Sequence, residues 1–225
     1  MHFEIRNKPD YASLHFTLDT GESVQTETGA MMGMSPKLKM ETNMKGGLFG
    51  GLSRMMGGES VFQNTYTGTE DGQRLDLAPS APGDMEHIHL DDAAVMVQSG
   101  SYCACSPEIA IDAKWGGAKS FFGGEGLIML KCHGTGDLFI SSYGAIHCEQ
   151  VNGSYVVDTG HIVAFDESLT FNVRSVGGGM KGFFLSGEGK VCEFNGTGRV
   201  WFQTRAAGTL AEFLHPFRKV QPKSN

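Results

Sequence analysis

Apolar and polar residues alternate along most of this chain, the period-two pattern of strands that bury one face. Leu138 and Ile140 fall on one face with Phe139 and Ser141 on the other, and Val200 and Phe202 alternate in the same way with Trp201 and Gln203. Near the N-terminus an alternating run from Tyr11 to Leu18 meets the turn residues Asp19-Thr20-Gly21 and returns through Val24, which predicts a hairpin. Only the end of the chain has helical spacing. Thr209-Leu210-Ala211-Glu212-Phe213-Leu214, with Thr209 as cap and Pro216 as stop, predicts a short closing helix. The pattern is that of an all-β chain with one C-terminal helix.

The pattern also recurs. A strand running into a Gly corner occurs as Val24-Gln25-Thr26-Glu27-Thr28-Gly29, as Val97-Gln98-Ser99-Gly100 and as Val157-Asp158-Thr159-Gly160. Each is followed by a Gly-rich stretch bearing Phe or Met, by a Gly-Glu pair (Gly58-Glu59, Gly124-Glu125, Gly187-Glu188) and by a Gly-Thr pair (Gly68-Thr69, Gly134-Thr135, Gly196-Thr197). The Gly-Glu pairs lie 66 and 63 residues apart and the Gly-Thr pairs 66 and 62. A near-constant period predicts three tandem copies of one small β unit, at approximately 1–80, 81–150 and 151–217, with 218–225 as a tail. A unit of that size buries too little surface to stand alone, so residues 1–225 are expected to form a single fused body. Pro79-Ser80-Ala81-Pro82-Gly83-Asp84 cannot continue a central strand and marks the first join; the second, near Glu149 to Ser154, is tighter. From Gly-Glu to Gly-Thr the third copy is one residue shorter than the others, which requires a bulge or an altered corner to keep side chains on their faces.

Composition narrows the function. The chain has 32 glycines in 225 residues, yet 40% of it is hydrophobic, so glycine marks corners in a folded protein rather than a disordered polymer. A formal charge of −7 argues against nucleic acid as a partner, because phosphate binding relies on clustered cations. The densest cationic piece, Arg218-Lys219 with Lys223, reads as a solvated tail. No run approaches the ~18 apolar residues of a membrane span, and Met1-His2-Phe3-Glu4-Ile5-Arg6 is no signal peptide; a cytoplasmic protein is expected. Five cysteines, an odd number, suit a reducing compartment. Asn152-Gly153-Ser154 and Asn195-Gly196-Thr197 then read as hairpin turns rather than glycosylation sites.

The Gly-rich arms are the most unusual segments. They set a cation among glycines and large apolar side chains, and Phe49, Leu52, Arg54, Met55, Met56, Trp115, Phe121, Phe122, Met180, Phe183 and Phe184 are the candidate interface residues, tucked into seams between units or subunits or exposed to a protein partner or membrane surface. Gly177-x-Gly179-x-x-Gly182 matches a dinucleotide fingerprint only formally, because it leads into Phe183-Phe184-Leu185 and not into a helix. His87-Ile88-His89 places two imidazoles on one strand face, as in the His-x-His-x3–4-Glu metal pattern of cupins. The glutamate is missing, since Asp91 and Asp92 follow and the next Glu is Glu108; the pair reads as surface histidines, with His87 and His89 as weak metal candidates. Cys103-Ala104-Cys105 puts two thiols on one strand face without zinc spacing, and these with Cys132, Cys148 and Cys192 read as buried small hydrophobes. No nucleophile elbow or Ser, His and Asp spacing points to catalysis, so neither an enzyme nor a cofactor is expected.

The run from Arg54-Met55-Met56-Gly57-Gly58-Glu59 to Thr65-Tyr66-Thr67-Gly68, with Leu77-Ala78-Pro79 and the Gly100 and Gly-Thr-Gly landmarks, resembles the altered-inheritance-of-mitochondria family, whose biochemical activity is unknown. The resemblance covers Phe3 to Phe217. It implies units similar to the tryptophan RNA-binding attenuation protein, a short double-stranded β-helix, three per chain and nine in a ring-like homotrimer. It also implies an assembly or scaffold role linked to membrane organisation. A small-ligand or nucleic-acid module using pockets between units, or a cupin-like metal enzyme, is the alternative.

Overall fold

The alternating stretches form strands, and their side chains decide how the strands stack. The computed structural model describes residues 1–43, 63–112, 128–175 and 190–218. Its strands are β1 (His2–Arg6), β2 (Ser13–Leu18), β3 (Ser23–Glu27), β4 (Met31–Met34), β5 (Lys39–Asn43), β6 (Gln63–Thr67), β7 (Gln73–Leu77), β8 (Met85–Gln98), β9 (Tyr102–Cys105), β10 (Ala110–Asp112), β11 (Met129–Ser141), β12 (Ile146–Asp158), β13 (Ile162–Asp166), β14 (Thr170–Ser175) and β15 (Lys190–Gln203), followed by helix α1 (Ala207–Leu214). Among the described residues the molecule is mostly β with one short C-terminal helix. All eleven candidate interface residues in the Gly-rich arms lie outside the described residues.

Four strands form a small sheet in the order β1-β2-β7-β4. The others form a large sheet in the order β12-β15-β13-β8-β11-β9-β3-β6-β5, with β10 added to β11 and β14 to β15. Its long strands are two-sided: β11 pairs with β8 along its length and with β9 and β10 on its other edge. Likewise β15 pairs with β12 on one edge and with β13 and β14 on the other.

Among the described residues three apolar clusters make the core, one between the two sheets and two among strands of the large sheet alone. Leu14, Phe16 and Leu18 of β2 meet Leu75 and Leu77 of β7 and, from the large sheet, Val24, Tyr66, Cys103 and Phe139. Leu138 and Ile140 of β11 turn the other way, into a second cluster with Ile88, Leu90, Val95, Val97, Tyr102 and Trp201. Phe165, Phe194 and Val200 anchor the third. The alternation along β11 therefore separates two cores rather than core from solvent. Fully burying one such side chain contributes about 1.5–3 kcal/mol.

Several expectations are corrected. The run through Asp19-Thr20-Gly21 is no hairpin: β2 pairs with β1 and β7 in the small sheet, whereas β3 pairs with β6 and β9 in the large one. The turn is a corner between sheets, held where Gly21 donates to Gly68 O and Gly68 donates to Glu22 O. The two Asn-Gly pairs are not turns either. They face each other inside the β12–β15 ladder, with Asn152 opposite Thr197, Gly153 opposite Gly196 and Ser154 opposite Asn195. Both glycines have positive φ, 115° and 124°, a backbone that side chains resist. Strand β12 accordingly runs unbroken through Glu149 to Ser154. Cys148 is exposed, and Cys103 and Cys105 enter different clusters, because the ladder shifts register between Phe139 and Ile140. Finally, α1 begins at Ala207 with Ala206 as its cap, so Thr209 lies inside the first turn, and the helix buries none of its residues.

Phe16 is 1% exposed and meets Phe139 edge-on at 5.3 Å between ring centroids, which ties the small sheet to the large one. Phe16→Ala is expected to cost about 3–5 kcal/mol of stability, read from the shift of the urea midpoint at unchanged slope.

Candidate functional site

Strand alternation and antiparallel register bring chemistry together that lies far apart in the chain. In β8, Ile88 and Leu90 point into one core, so His87 and His89 share the opposite face, where His87 is half-buried and His89 exposed. In the neighbouring β11, Asp137 sits directly opposite His89 and Phe139 opposite His87. The Asp137 Oδ1 atom lies 2.8 Å from His87 Nε2 and 3.0 Å from His89 Nδ1. As a carboxylate oxygen it accepts from both rings, and the three ligating atoms all lie within 4.8 Å of one another.

The cluster is braced from both sides. The His87 ring packs 4.7 Å from Phe3 of β1 and 5.2 Å from Phe139, which fixes its orientation. The Asp137 backbone is held by Ser106: Asp137 N donates to Ser106 Oγ at 2.9 Å, and Ser106 N donates to Asp137 O at 2.8 Å. That approach needs glycine at position 136, where φ is 149° and a Cβ would stand 2.9 Å from Ser106 Cβ. Burial pushes the Asp137 carboxyl up, but hydrogen bonds from His89 and His87 and the charge of the two rings outweigh it, and the carboxyl ends below its ordinary value.

The weak metal candidates His87 and His89 are thus joined by a third donor that sequence reasoning missed. The missing glutamate was sought along the same strand, whereas the carboxylate comes from the next one. Its only sequence signal is its place directly after the Gly134-Thr135-Gly136 landmark.

A second array lies on the small sheet. Ser13 Oγ is 2.9 Å from His15 Nε2, and His15 Nδ1 is 2.7 Å from Asp76 Oδ1. This is the connectivity of a nucleophile relay, which the sequence did not suggest. Ser13 is 6% exposed and its Oγ also accepts from Asn7 Nδ2 at 3.4 Å, so the hydroxyl is covered and serves as a structural link. The thiols are equally unsuited to attack. Burial pushes Cys103 and Cys132 well up and Cys192 to about 12, which keeps them protonated.

Two edge strands, one in each sheet, carry a different kind of candidate surface. At one end of the large sheet β12 is a 13-residue edge strand whose outward residues are largely exposed, including Val156 at 43%. A recess of about 280 Å³ beside it is lined by residues that include His147, Tyr155, Val157, His161 and Phe202. In the small sheet β4 is likewise an edge strand, paired among the described residues only with β7, and exposes Met31, Met32 and Met34. No helix among the described residues is long and apolar enough to cross a membrane.

Comparison with known proteins agrees with the resemblance. The family model described as Mitochondrial biogenesis AIM24 matches residues 3–205. An uncharacterised protein of Streptococcus pyogenes serotype M6 is 28% identical over 229 residues, 95% of this chain and 91% of that protein. A crystal structure of a Streptococcus pyogenes protein is similar with a TM-score of 0.79 at 25% identity, covering 96% of this chain and 99% of that one.

The Asp76 carboxyl is pushed up by burial, but the hydrogen bond from His15 and the charge of Arg74 outweigh this and leave it below its ordinary value. A carboxyl lowered in the folded state adds stability above its unfolded value of about 3.9, and that stability is lost as pH falls through the folded value. Asp76→Asn is therefore expected to be less stable than wild type at neutral pH, with the gap closing as urea titrations are repeated from pH 6 down to pH 3.

Proposed function

We propose that this chain, which belongs to the mitochondrial biogenesis AIM24 family, works by assembling with copies of itself into a closed ring, as a non-enzymatic scaffold. On the same reading the chain is three tandem copies of one short unit like that of the tryptophan RNA-binding attenuation protein. The observation that carries the proposal is the register at the places where consecutive thirds of the chain join. Thr26 pairs with Ala104 and Gln25 with Cys105 at the first; Val97 pairs with Ala164 and Met96 with Phe165 at the second.

Counting from the Gly29, Gly100 and Gly160 corners, these are the same positions. Thr26, Val97 and Val157 correspond, as do Gly33, Ala104 and Ala164. The inner pairing also matches. Strands β4, β9 and β13 meet β7, β11 and β15 with a register shift at Met32, Cys103 and Val163 in turn. A third junction of the same kind has both halves on offer, at opposite ends of one chain. It sets Val157 of one copy opposite Gly33 of the next, and Val156 opposite Met34.

Burial supports the same reading. Cys103, Cys105, Val163 and Phe165 are all 0% exposed, whereas their counterparts Met32 and Met34 are 56% and 38% exposed. Met96 is 0% exposed and its counterpart Val156 43%. The chain thus presents at its two ends the surfaces it buries at its internal junctions. Because those ends are different surfaces, the contact is head-to-tail, and such contacts close into rings when the rotation permits. Closure would also remove the exposed edges that sheet proteins otherwise have to guard.

Three chains, the number the resemblance implies, give three times 24.2 kDa, measurable by light scattering on the eluting protein. Met34→Asp and Val156→Asp each put a charge in the junction while leaving it solvated in the free chain. Each is expected to weaken assembly by about 2 kcal/mol or more, roughly thirtyfold in Kd, with the circular dichroism of the strands retained. A wild-type protein that is monomeric at micromolar concentration would defeat the proposal.

A further inference from the structure

We propose that His87, His89 and Asp137 form a binding site for one divalent first-row transition cation, with Zn2+ as its representative. The donors are two imidazole nitrogens and one carboxylate oxygen. Such a set suits borderline cations, whereas Mg2+ and Ca2+ prefer shells of oxygen.

The geometry asks for little movement. Zinc holds nitrogen and oxygen ligands at about 2.0–2.2 Å, so tetrahedral donors stand about 3.3 Å apart. Asp137 Oδ1 now lies 2.8 Å from His87 Nε2 and 3.0 Å from His89 Nδ1. A cation entering between them would spread these contacts by about 0.3–0.5 Å and draw the two nitrogens, now within 4.8 Å, toward each other. The ladder sets the starting arrangement, since Asp137 is the direct partner of His89 and a diagonal neighbour of His87. Packing of the His87 ring against Phe3 and Phe139 limits the rotamer freedom that binding must otherwise remove.

The protons balance. With the carboxylate accepting from both rings, His87 carries its proton on Nε2 and His89 on Nδ1. When the cation takes those two nitrogens, each neutral ring moves its proton to its other nitrogen; a ring that enters doubly protonated releases one proton to solvent. The His89 side chain is 60% exposed, so the outward side of the cluster faces solvent. Three protein ligands leave a fourth position there for water, the pattern of zinc sites that act on ligands rather than only hold a fold. The site depends on the β8–β11 pairing within one chain and not on assembly.

The test uses the full chain, freed of metal with a chelator and titrated with Zn2+ in a calorimeter in the presence of excess Mg2+. One Zn2+ per chain is expected. His89→Gln and Asp137→Asn should each weaken binding by at least about a hundredfold, beyond what loss of an outer partner usually costs. His133→Gln, which removes only the separate His133–Asp112 pair, should leave it unchanged. His89 is exposed, so its variant is expected to keep the wild-type urea midpoint, and Asp137→Asn gives a second reading should it not. Co2+ should give visible absorption bands with wild type that vanish with His89→Gln. Failure of wild type to bind Zn2+, equal binding by both ligand variants, or displacement of Zn2+ by equimolar Mg2+ would each overturn the proposal.

Discussion

Every strand carries a row of backbone donors and acceptors on each of its two edges, and a sheet is finished only when both rows are met. In the middle of the large sheet this condition holds best: β11 lies between β8 and the β9–β10 pair, and β8 has β11 along its length and β13 on its other edge at residues 95–97. Toward the ends it does not. Strand β12 has β15 on one side and no described strand on the other. The side chains follow the ladder: Met96 and Phe165 are fully buried where β8 and β13 pair, whereas Val156 on β12 and Met34 on β4 are exposed. The proposed association at such an edge needs no new chemistry, because it would repeat pairings of the kind the chain already makes.

The alternation in the sequence revealed the strands better than it revealed their surroundings. Period-two spacing tells which residues share a face, but it cannot tell whether the opposite face meets water or a second core. Along Leu138 to Ser141 both faces are buried, a distinction that depends on the small sheet lying over Phe139. Turn residues misled for a related reason. Asn-Gly is a strong hairpin signal when the chain must reverse, yet Gly153 and Gly196 face each other in mid-ladder, where positive φ lets two long strands bend together. Asp19-Thr20-Gly21 does turn the chain, but from one sheet to another, and nothing local to the turn specifies which sheet receives the returning strand.

The outward-facing polar residues follow one rule. Where imidazole and carboxylate stand on adjacent antiparallel strands, they pair across the ladder: His15 with Asp76, His133 with Asp112, and His87 and His89 with Asp137. Such pairs were invisible in the sequence because their members are 21 to 61 residues apart, and only the register makes them neighbours. Most are simple cross-strand pairs of the kind that contribute a fraction of a kcal/mol. Asp137 differs because one oxygen serves two rings, so a single atom satisfies two donors and three ligating atoms converge.

That convergence separates the two functional surfaces physically. The edge strands β12 and β4 expose apolar side chains, Val156 on the first and Met31, Met32 and Met34 on the second, and have no described strand on one side, so what they lack is another strand. Around His87, His89 and Asp137 the strands are joined by the β8–β11 ladder, and among the described residues no buried side-chain nitrogen or oxygen lacks a hydrogen-bond partner. An unfinished ladder is recognised by a strand of matching register. A satisfied polar cluster gains only from a ligand that can replace its internal hydrogen bonds with stronger interactions, and for two imidazoles facing one carboxylate oxygen a cation does so by taking the place of two protons. The proposed assembly and the proposed cation binding would thus draw on different interactions in different parts of the molecule, and a substitution in one would leave the physical basis of the other in place.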